Sequence, residues 1–160
     1  MELMYMDQWI QKRGILRNKD EHKAHAMEIN RNAESKVKKL TKEAFQHYEE
    51  KKNVHEAFKI LMKLQGVDLA RASLLLSVAY PDTIPFFSES LYNSTHWNIE
   101  TGWEQTVPYS ESAYDEILQK VEVLKNEYAT GESRVRAVDI EKVAFVMQCE
   151  ATISSNDCHS

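Results

Sequence analysis

The stretch between residues 61 and 92 constrains the fold more than any other part of the chain. Apolar residues at helical spacing lead up to Gly66-Val67 and resume directly after it in the run 69–78. Apolar positions that repeat every three to four residues indicate helices, and a glycine between two such runs indicates a tight turn. The pattern predicts a helix-hairpin-helix over residues 57–78.

Polar residues that can cap helices stand between the other apolar stretches. A capping residue uses its side-chain oxygen to accept a hydrogen bond from a backbone N–H in the first helical turn. Asn53 is followed by Glu56, which is the spacing of a capping box. We expect helices to begin after Asn32, Asn53, Ser88 or Ser90, and Ser110.

The remaining patterns are also helical. The last helix is predicted to start at Asp139 and to bury Ile140, Val143, Ala144 and Met147. No stretch alternates polar and apolar residues over the length that a strand requires. The predicted fold class is therefore all-α, with a single helical domain over residues 1–150 and a frayed C-terminal tail over residues 151–160.

Charge is distributed unevenly along the chain. Residues 12–63 hold fourteen Lys and Arg against eight Asp and Glu, whereas residues 64–160 hold six against fifteen. A basic segment of this kind can bind a polyanion, but oppositely charged halves can also complement each other within a folded domain. We favour the second interpretation, and both stay open at this point.

The hairpin itself is poorly suited to phosphate. A hairpin that binds nucleic acid needs the form glycine, apolar residue, glycine, so that backbone N–H groups reach the phosphate. Here the three residues are Gly66, Val67 and Asp68. Asp68 is a good N-cap for a helix starting at Leu69, and its carboxylate stands where a phosphate would bind. We expect the turn to have a structural role and not to bind phosphate.

The hairpin resembles that of a known superfamily. Leu64-Gln65-Gly66-Val67, Ala72 and the apolar run to Val78 are similar to the helix-hairpin-helix DNA base-excision glycosylases. This resemblance implies a DNA glycosylase-like helical domain. It would place a lysine nucleophile at Ala70 and a catalytic aspartate at Ser88, and neither residue is present. We therefore expect no enzyme and no catalytic residue, and an enzyme that uses the neighbouring Glu89 is the third hypothesis.

A second resemblance covers more of the chain. It is similar to a group of uncharacterised, mainly fungal proteins with the typical sequences Gly-Val-Gly-Pro-Ala-Thr-Ala-Ser and Pro-Phe-Phe-Ser-Asp-Glu. The corresponding segments include Gly66-Val67 with residues 72–77, residues 85–89, Gly102-Trp103 and residues 137–146. The likeness implies a fold and no activity.

Two function classes follow. The leading hypothesis is a non-enzymatic protein–protein interaction module, an adaptor or complex subunit that contacts another protein through an aromatic loop. Its candidate partner-binding residues are Trp97, Trp103, Phe86 and Phe87. The alternative is a DNA- or RNA-binding protein that uses the basic segment 12–63. The candidate contacts are Arg13, Arg17, Lys36, Lys38, Lys39, Lys42 and Arg71.

The remaining expectations concern metals, cofactors, membrane binding and the location of the protein in the cell. His22 and His25 have no third histidine at a useful spacing, and two cysteines cannot form a four-cysteine cluster site, so we expect neither a metal nor a cofactor. No apolar run reaches the ~18 residues of a membrane helix, and we expect no membrane partner. The acid near the N-terminus and the cysteine usage favour an intracellular protein, and we expect a nuclear rather than a cytoplasmic location.

Overall fold

The computed structural model describes residues 2–13, 26–98, 100–130 and 134–157, and within these ranges the chain forms helices, turns and loops without a β-strand. The predicted all-α class is confirmed for this part of the chain. A helical turn covers residues 26–29. The longer helices are α1 (Glu2–Lys12), α2 (Glu34–Lys51), α3 (Val54–Leu61), α4 (Leu69–Ala79), α5 (Glu89–Thr95), α6 (Glu111–Tyr128) and α7 (Ala137–Asp157).

The chain divides into two compact units, Met1–Leu75 and Leu76–Ser160, with the boundary inside α4. We call them the first unit and the second unit. The single domain predicted over residues 1–150 stays a prediction. None of the helices within the described ranges has the length and apolar character needed to cross a bilayer.

In the first unit, α2 packs against α3. The buried face of α2 consists of Leu40, Ala44 and Tyr48, which recur every four residues and so share one side of the helix. Asn53 caps α3, because its Oδ1 accepts a hydrogen bond of 3.1 Å from the backbone N–H of Glu56. The N-cap predicted at Asn53 is confirmed.

The turn between α3 and α4 is fastened from outside by Asn32. Gly66 has a φ of 72°, a left-handed conformation that glycine adopts without strain. The Asn32 side chain donates a 2.8 Å hydrogen bond to the carbonyl of Gln65 and accepts one of 2.9 Å from its N–H. The prediction that Asn32 is an N-cap is wrong, because its amide group makes these bonds. Ala33 holds the N-cap position of α2 and makes no side-chain cap.

Residues 54–79 thus form two helices joined by a turn. Asp68 caps α4 as its sequence position indicates, and its Oδ1 accepts a 2.8 Å hydrogen bond from the N–H of Arg71. The assignment of this segment to a glycosylase-like helix-hairpin-helix stays a prediction.

In the second unit, α5 packs against both α6 and α7. Ser88 caps α5 by accepting a 3.1 Å hydrogen bond from the N–H of Leu91, and Ser110 caps α6 in the same way. The predicted caps are confirmed, and of the two serines proposed for α5 the structure uses Ser88. The hydroxyl of Tyr114 on α6 donates to the carbonyl of Pro85 over 2.9 Å, which anchors the connection before α5.

The orientation of α7 about its axis differs from the prediction. The helix buries Ala137, Glu141 and Ala144, whereas Val143 and Met147 are exposed. The expectation that Val143 and Met147 lie in the core is therefore wrong. The helix is joined to α5 by the Ser90 hydroxyl, which donates a hydrogen bond to Oε1 of Gln148. The helix continues to Asp157, into the tail predicted to begin at residue 151.

Candidate docking surface

The second unit carries exposed apolar side chains in one groove and on the adjoining helix α7. Five of these side chains are between 50% and 62% exposed, namely Trp97, Val143, Val146, Met147 and Ile153, and the sixth, Trp103, is half-buried. We call these six residues the Trp–Met surface. Single exposed apolar residues are common on proteins, but a contiguous group marks an interaction site.

Four of the six residues come from one face of α7. Positions 143, 146, 147 and 153 lie within less than half a turn of each other around a helix of 3.6 residues per turn. The buried positions 137, 141 and 144 lie on a different side. One side of α7 thus packs on its own unit, and an apolar side remains exposed.

The two tryptophans belong to the loop between α5 and α6, as the sequence predicts for an ordered aromatic loop. Their rings meet edge to face, with centroids 5.2 Å apart and an interplanar angle of 66°. Gly102 has a φ of +53°, and a Cβ built on it would lie 3.6 Å from Cη2 of Trp97. The glycine therefore provides the left-handed turn that brings Trp103 back against Trp97.

Two amide side chains hold this loop in place. Asn93, which is fully buried on α5, donates a 2.7 Å hydrogen bond from Nδ2 to the carbonyl of Trp103. Its Oδ1 meets no hydrogen-bond donor in the part of the chain that the structure describes. Gln105 donates from Nε2 to the carbonyl of His96 over 2.8 Å. The loop is thus positioned by polar contacts beneath the tryptophans and not by the rings alone.

The groove has a volume of about 490 Å³, and its lining is Ser94, Trp97, Trp103, Met147, Glu150 and Ala151. Glu150 is an exposed acid in the lining, and Glu104 is an exposed acid next to Trp103 in the sequence. An open groove with aromatic and thioether walls and an acidic edge can accept an apolar side chain that has a cation beside it.

Phe86 and Phe87 do not reach this surface. Phe86 is 2% exposed and Phe87 is fully buried, so neither can contact a partner, and their assignment as partner-binding residues is wrong. The ring of Phe87 lies 5.0 Å from the ring of Tyr109 and 5.4 Å from that of Tyr114. Phe87 and Tyr114 of this aromatic cluster lie in the core of the second unit, and Tyr109 covers them from the exposed side.

Arg71 forms a charge cluster with the buried Asp7 and with the part-exposed Asp68 of the hairpin. Arg71 and Asp7 are 1% and 2% exposed, and Nε and Nη2 of the guanidinium donate to Oδ1 of Asp7 over 3.0 and 2.7 Å. Nη1 donates to Oδ2 of Asp68 over 2.7 Å. Both oxygens of Asp68 are thus occupied, one by the backbone of α4 and one by Arg71. The cluster joins α1 to the start of α4.

This burial overturns one predicted nucleic-acid contact. Arg71 lies in the interior and holds two carboxylates, so it cannot bind a phosphate from solution. The alternative, that Arg71 pairs with a nearby carboxylate, agrees with its contact to Asp68. Its burial depends on Asp7, which is 64 positions away and gives no local sign in the sequence. Gly66 and Val67 complete the turn next to this cluster, with Val67 buried.

The predicted lysine contacts lie on α2 and are all exposed: Lys36, Lys38, Lys39 and Lys42. Lys38 forms an ion pair of 2.7 Å with Glu34, and this hydrogen bond lowers the pKa of Glu34. The guanidinium of Arg13 lies 4.7 Å from the centre of the Trp9 ring, a cation–π contact on α1. Arg17 lies outside the described residues.

No group of three or more histidine, cysteine, aspartate or glutamate side chains that could hold a metal ion occurs within the described ranges. His22 and His25 lie outside those ranges. Ser88, where the glycosylase resemblance would place an aspartate, is buried and serves as the N-cap of α5. Ala70, at the position of the lysine, lies in the first turn of α4.

Comparison with known proteins adds no relative, since no protein-family model, curated protein or solved structure matches the chain. The site is therefore defined by its own geometry. The sequence drew attention to Trp97 and Trp103 because large aromatic residues in a polar loop are conspicuous. It missed Val146 and Ile153 on α7 and Asn93 below the loop, and no local signal distinguishes these from ordinary helical residues.

Proposed function

We propose that this protein is a non-enzymatic protein–protein interaction module, an adaptor or complex subunit that binds its partner through the Trp–Met surface. The observation that carries the proposal is the exposed apolar side of α7 next to the groove between Trp97 and Met147. Interfaces are enriched in tryptophan and methionine at their centres, and such residues contribute most to binding when a partner excludes water from them.

Two features support the non-enzymatic part of the proposal. The positions that the glycosylase resemblance would assign to chemistry hold Ala70, which has no functional group, and Ser88, whose hydroxyl accepts the capping hydrogen bond of α5. The groove is lined by aromatic, thioether, hydroxyl and carboxylate groups, which can contact the side chains of another protein. We propose that the chain keeps its helical architecture for the surfaces it presents.

A site-specific cross-link tests this proposal. A benzoylphenylalanine introduced at Val146 should give a discrete adduct on irradiation in cells that express the chain, while the same group at Val123 on α6 should not. Val123 is the matched control, because it is 64% exposed on α6 and does not belong to the Trp–Met surface. The adduct should disappear when Trp97→Ala or Met147→Ala is added.

The partner identified from the adduct must then bind the purified chain and lose affinity for the Met147→Ala variant. An adduct that persists in both alanine variants, or that forms equally from Val123, would show that the Trp–Met surface does not select the partner. Such a result would overturn the proposed function.

The exposed lysines of α2 favour a second candidate, binding of DNA or RNA. Residues 1–75 hold fifteen Lys and Arg against eleven Asp and Glu, a net charge of +4 in the first unit. Binding through Lys36, Lys38, Lys39 and Lys42 should weaken steeply as salt rises, since each phosphate contact releases a counterion. Fluorescence anisotropy with labelled DNA and RNA, and with these four lysines changed to glutamate, tests it.

A further inference from the structure

We infer that the Trp–Met surface takes an amphipathic helix whose apolar stripe is flanked by Lys and Arg. This inference rests on the proposed function, and it names the class of partner. Three properties of the surface carry it: the spacing of the exposed residues on α7, the size of the groove beside them, and the charge of the second unit.

The exposed side of α7 has the spacing of a helix–helix seam. Val143, Val146, Glu150 and Ile153 are separated by three, four and three residues, the repeat at which two helices pack side by side over successive turns. Three of the four positions are apolar, and Glu150 places an acid within the stripe. From Val143 to Ile153 the rise is about 15 Å, which corresponds to about three turns of a partner helix. A helix laid along α7 would cover the stripe over its whole length.

The groove supplies an anchor point next to that seam. Met147 belongs to both features, since it lies on the exposed side of α7 and lines the groove with Trp97 and Trp103. A volume of about 490 Å³ exceeds that of one large side chain, so a leucine, methionine or phenylalanine of the partner can insert beside the tryptophans, against Met147. One anchored residue and one stripe together fix both the position and the direction of a helix.

The negative charge of the second unit indicates which residues flank the apolar stripe of the partner helix. Residues 76–160 hold five Lys and Arg against fourteen Asp and Glu, a net charge of −9. Glu150 is exposed in the groove lining, and the exposed Glu104 follows Trp103 in the sequence. A positive partner gains from this field in both association rate and specificity, whereas a negative one is repelled. The partner helix therefore carries cations beside its apolar stripe.

The same charge argues against a second copy of this chain as the occupant. Two α7 helices packed along their exposed sides would bring a Glu150 carboxylate from each copy into one seam, and would join two units of net charge −9. Like charges at a helical seam disfavour pairing and direct a helix to a complementary partner.

Two synthetic peptides test the inference on the full-length chain. Each has leucine at the a and d positions of three heptads, and they differ only in having lysine or glutamate at every e and g position. Their fluorescence anisotropy is measured with the chain at near-physiological and at high salt. We expect the lysine peptide to bind about tenfold more tightly than the glutamate peptide. This preference should shrink at high salt, because surface charges are screened.

Variants of the chain locate the binding. Met147→Ala should remove binding of the lysine peptide, and Glu150→Gln should weaken it about threefold by removing a charge at constant shape. Glu127→Gln on α6 is the matched control, since Glu127 is an exposed acid outside the groove, and it should leave the affinity unchanged.

The outcomes separate this inference from the proposed function. If both peptides bind equally and Met147→Ala abolishes both, the surface is a docking site but the partner is not basic, and the inference fails alone. If neither peptide binds while Val146 still cross-links specifically, the inference again fails alone. Concentration-dependent self-association that Val146→Glu removes would make a second copy the occupant. Absence of both peptide binding and the cross-link would overturn both proposals.

Discussion

A buried ion cluster of the first unit and an exposed apolar surface of the second unit both depart from the usual burial of residues. In the first unit an arginine and an aspartate, residues that are almost never fully buried, lie inside the fold. In the second unit tryptophan, methionine, valine and isoleucine side chains lie in contact with solvent. The buried charges of the first unit have their partners within the same unit, because Asp7 and Asp68 both bind Arg71.

The exposed apolar side chains on α7 in the second unit are not covered by other apolar side chains that the structure describes in that unit. An ion cluster whose charges are all paired within the unit stabilises the fold and needs no external partner. An apolar surface that its own unit leaves uncovered points outside the molecule. We therefore interpret the ion cluster as part of the fold, and the apolar surface is the one on which the proposed function rests. Substitutions can test either interpretation.

The largest effect is expected from Asp7→Asn. This change leaves the buried Arg71 guanidinium with half of its charge compensation, and removing one partner of a buried ion pair typically costs about 3–5 kcal/mol. We expect a loss of this size in the free energy of unfolding, measured by urea denaturation. Glu34→Gln, which breaks the exposed pair with Lys38, is the control and should cost less than about 0.5 kcal/mol.

A double variant sharpens that test. Asp7→Leu combined with Arg71→Met replaces the buried pair by apolar side chains, and the pair of changes should recover most of the stability lost in the single variant. If the single and double variants are equally unstable, the cost arises from disturbed packing of α1 and not from an unpaired charge.

A smaller effect is expected from Asn93→Ala. The variant removes the buried hydrogen bond to the Trp103 carbonyl, and we expect a loss of about 1–2 kcal/mol in the free energy of unfolding. It should also weaken peptide binding, because the tryptophan loop loses its support. Asn98→Ala removes an exposed hydrogen bond to Glu100 in the same loop and should change stability far less. Equal losses would mean that Asn93 does not position the loop.

The smallest effect on stability is expected from Met147→Gln. The side chain is half exposed, and surface substitutions usually change the free energy of unfolding by less than about 0.5 kcal/mol. Partner binding should nevertheless fall, because the new amide needs water that an apolar contact excludes. Leu91→Gln, at a fully buried position, should cost more than about 2 kcal/mol in the same assay. Comparable losses in the two variants would place Met147 in the core.

The sequence predicts those parts of the fold that depend on neighbouring residues. The caps at Asn53, Asp68, Ser88 and Ser110 are all recovered, because each is a hydrogen bond between positions three apart. Asn32 has the same local form, yet its side chain bonds to Gln65, which lies 33 positions further along the chain. A local rule cannot choose between a cap and a distant acceptor.

The candidate site was harder to predict for a related reason. Helix α7 is apolar on more than one side, so periodicity alone does not decide which side is buried, and the small residues Ala137 and Ala144 occupy the core side. The tryptophans are visible in the sequence as isolated aromatics, but their meeting with Met147 depends on how α5, α6 and α7 pack. Phe86 and Phe87 attract the same attention and belong to the core.

The bond between Asn32 and Gln65 has a consequence for amide hydrogen exchange. The Gln65 residue is exposed, but its N–H is held by Oδ1 of an asparagine 33 positions away. Deuterium can enter at this amide only when that contact opens. Its rate of exchange therefore records the separation of Asn32 from the turn, and not local fraying of the turn itself. A single amide on the surface thus serves as a reporter for the integrity of the first unit.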